Sequence, residues 1–153
     1  MKISFTTLGC PKWDLDTLCI KGHEFGFDAV DFRGLGDALD VTTLPAFTTG
    51  IGETKRRLHE AGLAVSGVST SIRACDAAKR TANLEEARRT IPVALALGCR
   101  NVRIFGGGDV GKVPRSRAAE IGRECIEQIL ALDGARRLRW LLVKTKRCPE
   151  RGS

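Results

Sequence analysis

One pattern recurs in four segments of the chain: GFDAVDFRG (26–34), GLAVSGVST (62–70), GCRNVRIFGG (98–107) and GARRLRWLLV (134–143). In each segment a glycine follows a helix-like stretch and precedes an apolar, strand-like one, and each glycine lies thirty-six residues after the previous one. Glycine lacks the Cβ that makes the left-handed conformation costly, so it is the usual residue just past the end of a helix. Four such units in series predict a βα repeat.

Hydrophobic periodicity places the individual elements within this repeat. Alternating and apolar runs predict strands over 2–6, 29–33, 64–70, 101–105 and 138–143. Helical spacing predicts a first helix capped by Asp14, a second over about 52–61, a third that opens at Asn83 and a fourth capped by Ser116. Pro92 falls inside the third helical pattern and is expected to kink or divide that helix, because proline lacks the backbone donor.

Strands that alternate with helices predict an α/β fold with a parallel sheet, either an open doubly wound sheet or part of a (β/α)8 barrel. The chemistry of the strands favours the barrel. Val30 and Phe32 are expected to face helices, which leaves Asp31 and Arg33 on the opposite face, and Arg103 takes the same position in the fourth strand. An open sheet covered on both faces is apolar on both faces, whereas a barrel interior becomes polar towards its carboxyl-terminal mouth.

Composition and charge limit the function classes. The 153 residues suffice for one domain with a core, and the formal net charge is +7. Residues 135–153 hold seven basic residues and one acid, so the excess is expected to belong to a tail, which argues against a nucleic-acid partner. Six cysteines without CxxC spacing are expected to be free thiols. The sequence shows neither a membrane span nor a signal peptide, which predicts a cytoplasmic protein.

Three segments carry a resemblance to a known family. FTTLGCPKWDLDTL (5–18), GFDAVDFRG (26–34) and NVRIFGG (101–107) resemble, in the same order, the sugar phosphate isomerase/epimerase family of xylose-isomerase-like TIM barrels, which also include the endonuclease IV type of DNA-repair enzyme. The resemblance extends over residues 1–142 and implies the N-terminal half of a TIM barrel, with about four βα units and a fifth strand. Residues 143–153 are expected to form a basic, disordered tail.

The resemblance implies a metal-dependent isomerase or epimerase of a small sugar or sugar phosphate. In that family carboxylates and a histidine at the ends of strands 5–8 hold a divalent metal, and the fifth strand commonly ends in a Leu-Leu-Glu-Thr-His type of sequence. Here Trp140 and two leucines are followed by Val143 at the expected position of the first ligand, and valine does not coordinate a cation. The chain as it stands is therefore expected to hold no metal, and a truncated or frame-shifted reading of a longer ancestor explains the change of pattern.

Two alternatives to a sugar isomerase remain open. One is a non-catalytic half-barrel that self-associates through its exposed strand edges, as a homo-oligomer. The other is a relative of the endonuclease IV-type DNA-repair enzymes, against which the lost metal ligand argues.

Four residues are candidates for binding the substrate: Arg33, Ser69, Thr70 and Arg103. Guanidinium groups at a barrel mouth suit a phosphate or carboxylate, although pairing with an internal acid such as Asp31 explains them equally well. These two hydroxyls, with that of Ser71 directly after them, are placed to donate to a sugar hydroxyl or to cap the next turn. The three glycines 106–108 are placed either to approach a phosphate or to form a flexible loop. Neither histidine is expected to bind a metal, and no catalytic residue is assigned.

Overall fold

Five parallel strands form one sheet in the order of the sequence, β1-β2-β3-β4-β5. The computed structural model describes residues 1–108 and 112–143. A helix follows each of the first four strands, so the partial barrel that the sequence predicts is confirmed. The strands are β1 Ser4–Thr6, β2 Ala29–Phe32, β3 Ala64–Arg73, β4 Asn101–Phe105 and β5 Arg139–Val143, and the helices are α1 Leu15–Glu24, α2 Ile51–Glu60, α3 Arg80–Ala96 and α4 Arg115–Leu130.

The expected tail begins where the described part of the chain ends. Val143 is the last residue of β5 and pairs with Phe105 of β4. Residues 144–153, which make up the rest of that segment, lie outside the described residues.

Three of the four repeated glycines end a helix in the same way. Their φ angles are 71°, 73° and 72°, in the left-handed region. In each case the glycine N–H and the N–H of the next residue donate back to carbonyls of the last helical turn, at 2.8–3.1 Å. These two bonds are the Schellman pattern, which satisfies carbonyls that a helix end leaves unpaired. The glycines are Gly26 after α1, Gly62 after α2 and Gly98 after α3.

The fourth repeated glycine has a different role from the other three. Helix α4 already ends at Leu130, and Gly134, with a φ of 75°, opens a short 3₁₀ turn over Ala135–Arg137. A Cβ on Gly134 would lie 3.1 Å from the side chains of both Ile91 and Leu95 in α3. The expectation that Gly134 directly follows a helix is therefore wrong, because α4 ends four residues earlier. Close packing of the turn on α3, together with the positive φ, accounts for glycine at this position.

The core lies between the sheet and the helices. Val30 and Phe32 of β2 are fully buried on this side, and Phe32 meets Phe47 edge-to-face with ring centroids 4.9 Å apart. The alternate strand residues face the other side of the sheet, where polar groups dominate. The residues that β3, β4 and the helices add to the core include Leu18, Leu58, Val68, Ala87, Ile91, Val102, Ile104 and Ile129.

Two helix starts differ from those predicted, and one is confirmed. The carboxylate of Asp14 accepts the N–H of Thr17 at 2.8 Å and caps α1 as expected. Helix α3 begins at Arg80 rather than at Asn83, because Asn83 is buried and bonds instead to both backbone groups of Arg73. Helix α4 begins one residue after Pro114, so Ser116 lies inside it and is not its cap.

Pro92 neither ends nor divides α3, which runs unbroken from Arg80 to Ala96. Its neighbours Ile91 and Val93 are 4% and 5% exposed. Packing of these residues in the core stabilises the helix on both sides of the proline, and it outweighs the missing backbone donor.

Two expectations from the composition concern the cysteines and the absence of a membrane-spanning helix. The five described cysteines are free, as expected, and Cys148 lies outside the described residues. Burial raises the pKa of Cys99 and Cys125 above the ordinary thiol value. Across residues 1–108 and 112–143, no helix has the length and apolarity that crossing a membrane requires.

The glycine after α2 provides a test of the repeat. A Cβ at Gly62 meets nothing within 4 Å, so Gly62→Ala adds only the backbone strain of the left-handed conformation. We expect a loss of about 1–2 kcal/mol in the free energy of unfolding, measured by urea denaturation. Gly52 lies within α2 and also has open space around it. The matched change Gly52→Ala should stabilise the protein by about 0.4–1 kcal/mol, and equal effects at the two positions would contradict this role of Gly62.

Candidate functional site

The face of the sheet turned away from the helices, called the inner face, carries polar side chains. A shift in strand register sets the position of one of them, Asp31. Asp31 is opposite Gly67 in β3, because the pairing of β2 with β3 shifts by one residue after Val30. Ser69 is opposite Arg103 in β4. A Cβ on Gly67 would lie 3.2 Å from the Asp31 carboxylate, so this glycine leaves room for the acid to reach across β3.

Asp31, Ser69 and Arg103 form a closed network across three strands. One oxygen of Asp31 accepts from the Ser69 hydroxyl at 2.9 Å, and the other lies 3.1 Å from Nη2 of Arg103. Nε of Arg103 donates to the Ser69 hydroxyl oxygen at 2.8 Å. The side chains of Arg103 and Asp31 are 33% and 23% exposed. Pairing with an internal acid, the alternative role for Arg103, is therefore the geometry that the structure shows.

Arg33 lies one step nearer the carboxyl end of the strands, just after β2. Its Nη1 donates to the Ser71 hydroxyl at 3.0 Å, and its guanidinium carbon lies 5.6 Å from the centroid of the Phe105 ring. Its backbone N–H donates to the Thr7 hydroxyl at 2.8 Å, which in turn donates to the carbonyl of Gly34 at 2.6 Å. The backbone of Arg33 is thus fixed to the segment after β1, while its head group rests on an aromatic ring.

The charge environment of Arg33 differs from that of Arg103. Within the described part of the chain no carboxylate forms a salt bridge with Arg33. Burial is the main cause that lowers the pKa of the Arg33 guanidinium, and the neighbouring Arg103 lowers it further. Glu86, Asp40 and Asp31 oppose this decrease from a greater distance. Arg33 is therefore a half-buried cation with unused donors.

The two hydroxyl candidates occupy different surroundings. Ser69 belongs to the network with Asp31 and Arg103. Thr70 is 2% exposed, and its hydroxyl donates to the carbonyl of Arg103 at 2.9 Å and accepts from the N–H of Ile72 at 3.3 Å. The structure therefore brings Arg33, Ser69 and Arg103 to one face and places Thr70 in a backbone contact away from it. Ser71, the third hydroxyl of this run, contacts Arg33 instead.

Glu86 of α3 is a further candidate that the sequence analysis missed. It is 9% exposed, and its Oε1 accepts from the N–H of Ser71 at 2.7 Å, so Glu86 and Arg33 contact the same residue. Burial raises the pKa of the Glu86 carboxyl above its ordinary value, and Asp40 adds to this increase. The Ser71 N–H, Arg33 and Arg89 act in the opposite direction. A sequence signal existed, because Asn83, Glu86 and Thr90 follow helical spacing and form a buried polar stripe beside the apolar one.

The glycines after β4 are held by backbone contacts over their first part. The N–H of Gly106 donates to the carbonyl of Val143 at 3.4 Å, and its carbonyl accepts from Cys75 at 2.7 Å. A Cβ at Gly107 would lie 2.6 Å from the Cβ of Arg73, and one at Gly108 would lie 2.9 Å from the carbonyl of Cys75. Close packing against the end of β3 thus accounts for these two glycines, and residues 109–111 lie outside the described residues.

Comparison with known families agrees with this arrangement. A family model described as xylose isomerase-like TIM barrel matches residues 21–142. This range includes β2–β4, β5 except its last residue, and all four helices except the start of α1. The chain belongs to the xylose isomerase-like TIM barrel family. No curated protein sequence matches it significantly.

Solved structures of similar fold extend beyond this chain. The probable 3-DHS dehydratase AsbF of Bacillus anthracis, involved in petrobactin synthesis, is 16% identical with a TM-score of 0.72, and the match covers 93% of this chain and 52% of AsbF. The 3-keto-D-glucoside 4-epimerase YcjR of E. coli is 17% identical with a TM-score of 0.67, covering 93% and 55%. A family 2 AP endonuclease of Brucella melitensis is 15% identical with a TM-score of 0.67, covering 93% and 55%. The chain spans about half the length of these proteins, and the likeness shows the fold.

The divalent metal implied by the family resemblance does not fit the donors that the described residues supply. Over residues 1–108 and 112–143, no group of three or more His, Cys, Asp or Glu side chains could hold a metal ion. Both histidines are on the exposed surface of helices, and Nδ1 of His23 lies 3.2 Å from the carbonyl of Ala61. The end of β5 offers Val143, whose side chain is not a ligand. No reaction step through a metal is derived for the described residues.

The buried carboxyl of Glu86 predicts a pH dependence of stability. An acid with a raised folded-state pKa contributes stability that is complete below its unfolded-state pKa and is lost as the pH rises through its folded-state value. Glu86→Gln retains an oxygen that accepts from Ser71 but carries no charge. Between about pH 4 and pH 7, the variant should lose less stability than the wild type, as measured by urea denaturation. Glu85→Gln, at the exposed neighbouring position, should follow the wild type. Parallel pH profiles of Glu86→Gln and the wild type would show that the charge of Glu86 is not penalised by burial.

Proposed function

We propose that the chain forms the substrate-facing amino-terminal part of an isomerase or epimerase barrel for a small sugar or sugar phosphate. Membership of the xylose isomerase-like family and the fold shared with an epimerase support this proposal. In it, Arg33 binds the anionic group of the ligand, and the network of Asp31, Ser69 and Arg103 forms the floor beneath it.

The observation that carries this proposal is the contrast between the two arginines. The donors of Arg103 are engaged by a carboxylate and a hydroxyl, while Arg33 has one hydroxyl partner and no carboxylate bridge within the described residues. A half-buried guanidinium in low-dielectric surroundings binds an anion more strongly than an exposed one does. The planar fork of Arg33 matches two oxygens of a phosphate or carboxylate.

The position of Arg33 agrees with where barrel enzymes bind their ligands. It lies directly after the carboxyl end of β2, and in TIM barrels the chemistry occurs at that end of the strands. The Phe105 ring beneath the guanidinium restricts its motion, so less entropy is lost when an anion binds. The Ser71 hydroxyl is adjacent and can exchange its contact with Arg33 for a ligand hydroxyl.

Catalysis is a separate question from binding in this chain. Isomerisation beside a carbonyl requires a base and stabilisation of developing negative charge on oxygen. The chain offers Glu86 as a buried carboxyl near Arg33, and the described residues offer no metal-binding group of three acids, histidines or cysteines. We therefore propose that residues 1–143 bind and orient the ligand, and that turnover requires further donors.

Binding of a sugar phosphate tests the role of Arg33. Isothermal titration of the chain with a ketohexose phosphate, the ketohexose alone and inorganic phosphate should show that the phosphate group supplies most of the affinity. Arg33→Gln should weaken phosphate binding about tenfold or more, since a hydrogen bond to a charged group contributes about 1.5–3 kcal/mol. Arg33→Lys should lose part of this affinity, because an ammonium does not form the fork.

The matched control is Arg88→Gln, which removes one exposed arginine from α3 and should leave binding unchanged. If the wild-type chain binds none of the three ligands, or if Arg33→Gln and Arg88→Gln bind equally, the proposed site is wrong.

A second candidate function, self-association of two copies of this chain, is favoured by the edges of the sheet. Strand β5 pairs only with β4 among the described strands, and β1 pairs only with β2. Leu141 and Leu142 are 47% and 54% exposed on opposite faces of β5, and Ile3 beside β1 is 47% exposed. A twofold axis parallel to the strands keeps all strands parallel, so β5 of one copy can extend the sheet at β1 of another.

Sedimentation velocity at micromolar concentration tests this association. The wild-type chain is expected to sediment as a dimer. Leu142→Asp should shift it towards the monomer, because a charge would be buried at the contact. Leu39 is 55% exposed and lies in the loop after β2 rather than on an edge strand, so Leu39→Asp is the matched control. A wild-type chain that is monomeric at these concentrations would exclude the pairing.

A further inference from the structure

Four exposed arginines lie together at the amino-terminal end of β4 and β5, at the opposite end of the sheet from Arg33. Arg100 directly precedes β4, Arg136 and Arg137 lie in the 3₁₀ turn before β5, and Arg139 is the first residue of β5. These residues are called the basic patch. The expectation that the charge excess of the C-terminal segment belongs only to a tail is therefore wrong for three of the seven basic residues after Gly134, which lie on folded elements.

The backbone beneath the basic patch is fixed by hydrogen bonds. The N–H of Arg139 donates to the carbonyl of Arg100 at 2.6 Å. The N–H of Arg137 donates to Gly134 at 3.0 Å, and the indole N–H of Trp140 donates to Ala135 at 3.0 Å. The arginines thus project from an ordered turn and strand, so little backbone entropy is lost when a ligand binds to them.

In the described part of the chain, the arginines of the basic patch lack the acidic partners that seven other arginines have. Arg56, Arg57, Arg80, Arg89, Arg103, Arg117 and Arg123 each form a salt bridge. Within residues 1–108 and 112–143, none of the patch arginines forms a salt bridge or a side-chain hydrogen bond. Their donors are free for a ligand.

Two neighbouring cavities give the basic patch a concave shape. One, of about 470 Å³, is lined by Arg100 and Arg137 with Leu95, Gly98 and Cys99. The other, of about 680 Å³, has Arg136 and Arg137 in its wall and shares Leu95 with the first. Both volumes lie within the range of small-molecule sites, about 300–1,000 Å³.

The opposing charges that line the two cavities are too small to neutralise the patch. The carboxyl-terminal ends of α3 and α4 line the cavities, and each is equivalent to about half a negative charge. Asp133 adds one carboxylate to the wall of the larger cavity. The four positive charges of the patch exceed this sum by about two. Complementing the negative ends of two helices would not require four arginines.

We propose that the basic patch is a second binding site, which recognises ligands with several phosphate groups. Arginine forks bind phosphate oxygens in pairs, and a ligand with adjacent phosphates engages two or more of the four side chains at once. The site is independent of the anion site proposed at Arg33, because the two lie at opposite ends of the strands.

Trp140 provides a local reporter for this binding. It lies beside the turn that holds Arg136 and Arg137, and the chain has two tryptophans. In a Trp13→Phe background, fluorescence therefore comes from Trp140 alone. Titration with inorganic tripolyphosphate and with a single-stranded oligonucleotide, at an ionic strength of about 0.15 M, distinguishes a free polyphosphate from a nucleic-acid backbone.

The double variant Arg100→Gln/Arg137→Gln should weaken binding of the responding probe about tenfold or more. If that probe is the oligonucleotide, the dependence of log K on log salt should fall by about one to two, since each phosphate contact on a single strand contributes about 0.7. The control Arg88→Gln/Arg115→Gln removes the same charge from exposed positions on α3 and α4 and should bind like the wild type. Circular dichroism checks that each variant is folded.

Two results would overturn the proposal. One is that neither probe changes Trp140 fluorescence or gives heat on mixing. The other is that the two double variants lose the same affinity, which would show a general effect of net charge. Arg33→Gln should leave tripolyphosphate binding at the patch intact, so failure of the Arg33 site and failure of the basic patch are separate outcomes.

Discussion

The ion pair between Asp31 and Arg103 is the interaction on which the inner face of the sheet depends. It joins β2 to β4 across β3, at 3.1 Å, and Ser69 completes it by bonding to both charged groups. Two half-buried charges are thereby satisfied, and the unpaired burial of either would cost several kcal/mol. The reach of Asp31 across β3 in turn requires Gly67 beneath it, where a Cβ would crowd the carboxylate. With Arg103 occupied in this way, Arg33 keeps donors that no carboxylate of the described residues engages in a salt bridge.

Much of this arrangement follows from the sequence, and the remainder depends on contacts that no local pattern contains. Glycines at equal spacing predicted three helix ends, because the left-handed cap is a local requirement. Alternation in β2 and β4 predicted which strand residues face the helices, because the side-chain period of a strand is two. Asn83 and Glu86 have the spacing of a helix start, but both are buried polar residues within α3. Local sequence does not distinguish these two roles, because the hydrogen bonds of Asn83 and Glu86 go to the end of β3, which is distant in sequence. Gly134 kept the spacing of the repeat while α4 ended earlier, so a shared period did not mean a shared role.

The family and the donor set of this chain lead to different conclusions about catalysis. The fold and the family model place the chain among xylose isomerase-like barrels, and solved members of this fold are about twice its length. The strands present here carry the polar network of Asp31, Ser69 and Arg103, while the described residues include no group of three acids, histidines or cysteines that could hold a metal ion. The ligand-binding role proposed for these strands is therefore separate from turnover, for which the described residues supply no metal-binding group. The shared fold alone does not fix the function of this chain.

The helix dipoles produce fields of opposite sign at the two ends of the sheet, and the arginines at each end therefore have different surroundings. In a βα repeat every helix points its amino terminus towards the carboxyl end of the strands and its carboxyl terminus towards the other end. At the carboxyl end the helix dipoles already favour an anion, so one half-buried guanidinium such as Arg33 adds to an existing field, and Glu86 and Asp40 limit it. At the amino end the dipoles favour cations, and exposed arginines there are stabilised in the unliganded chain. An anion at that end must compete with the helix carbonyls for the arginines. Net positive charge remains for the anion only where the arginines outnumber the partial negative charges of the helix ends, as the four arginines around β4 and β5 do.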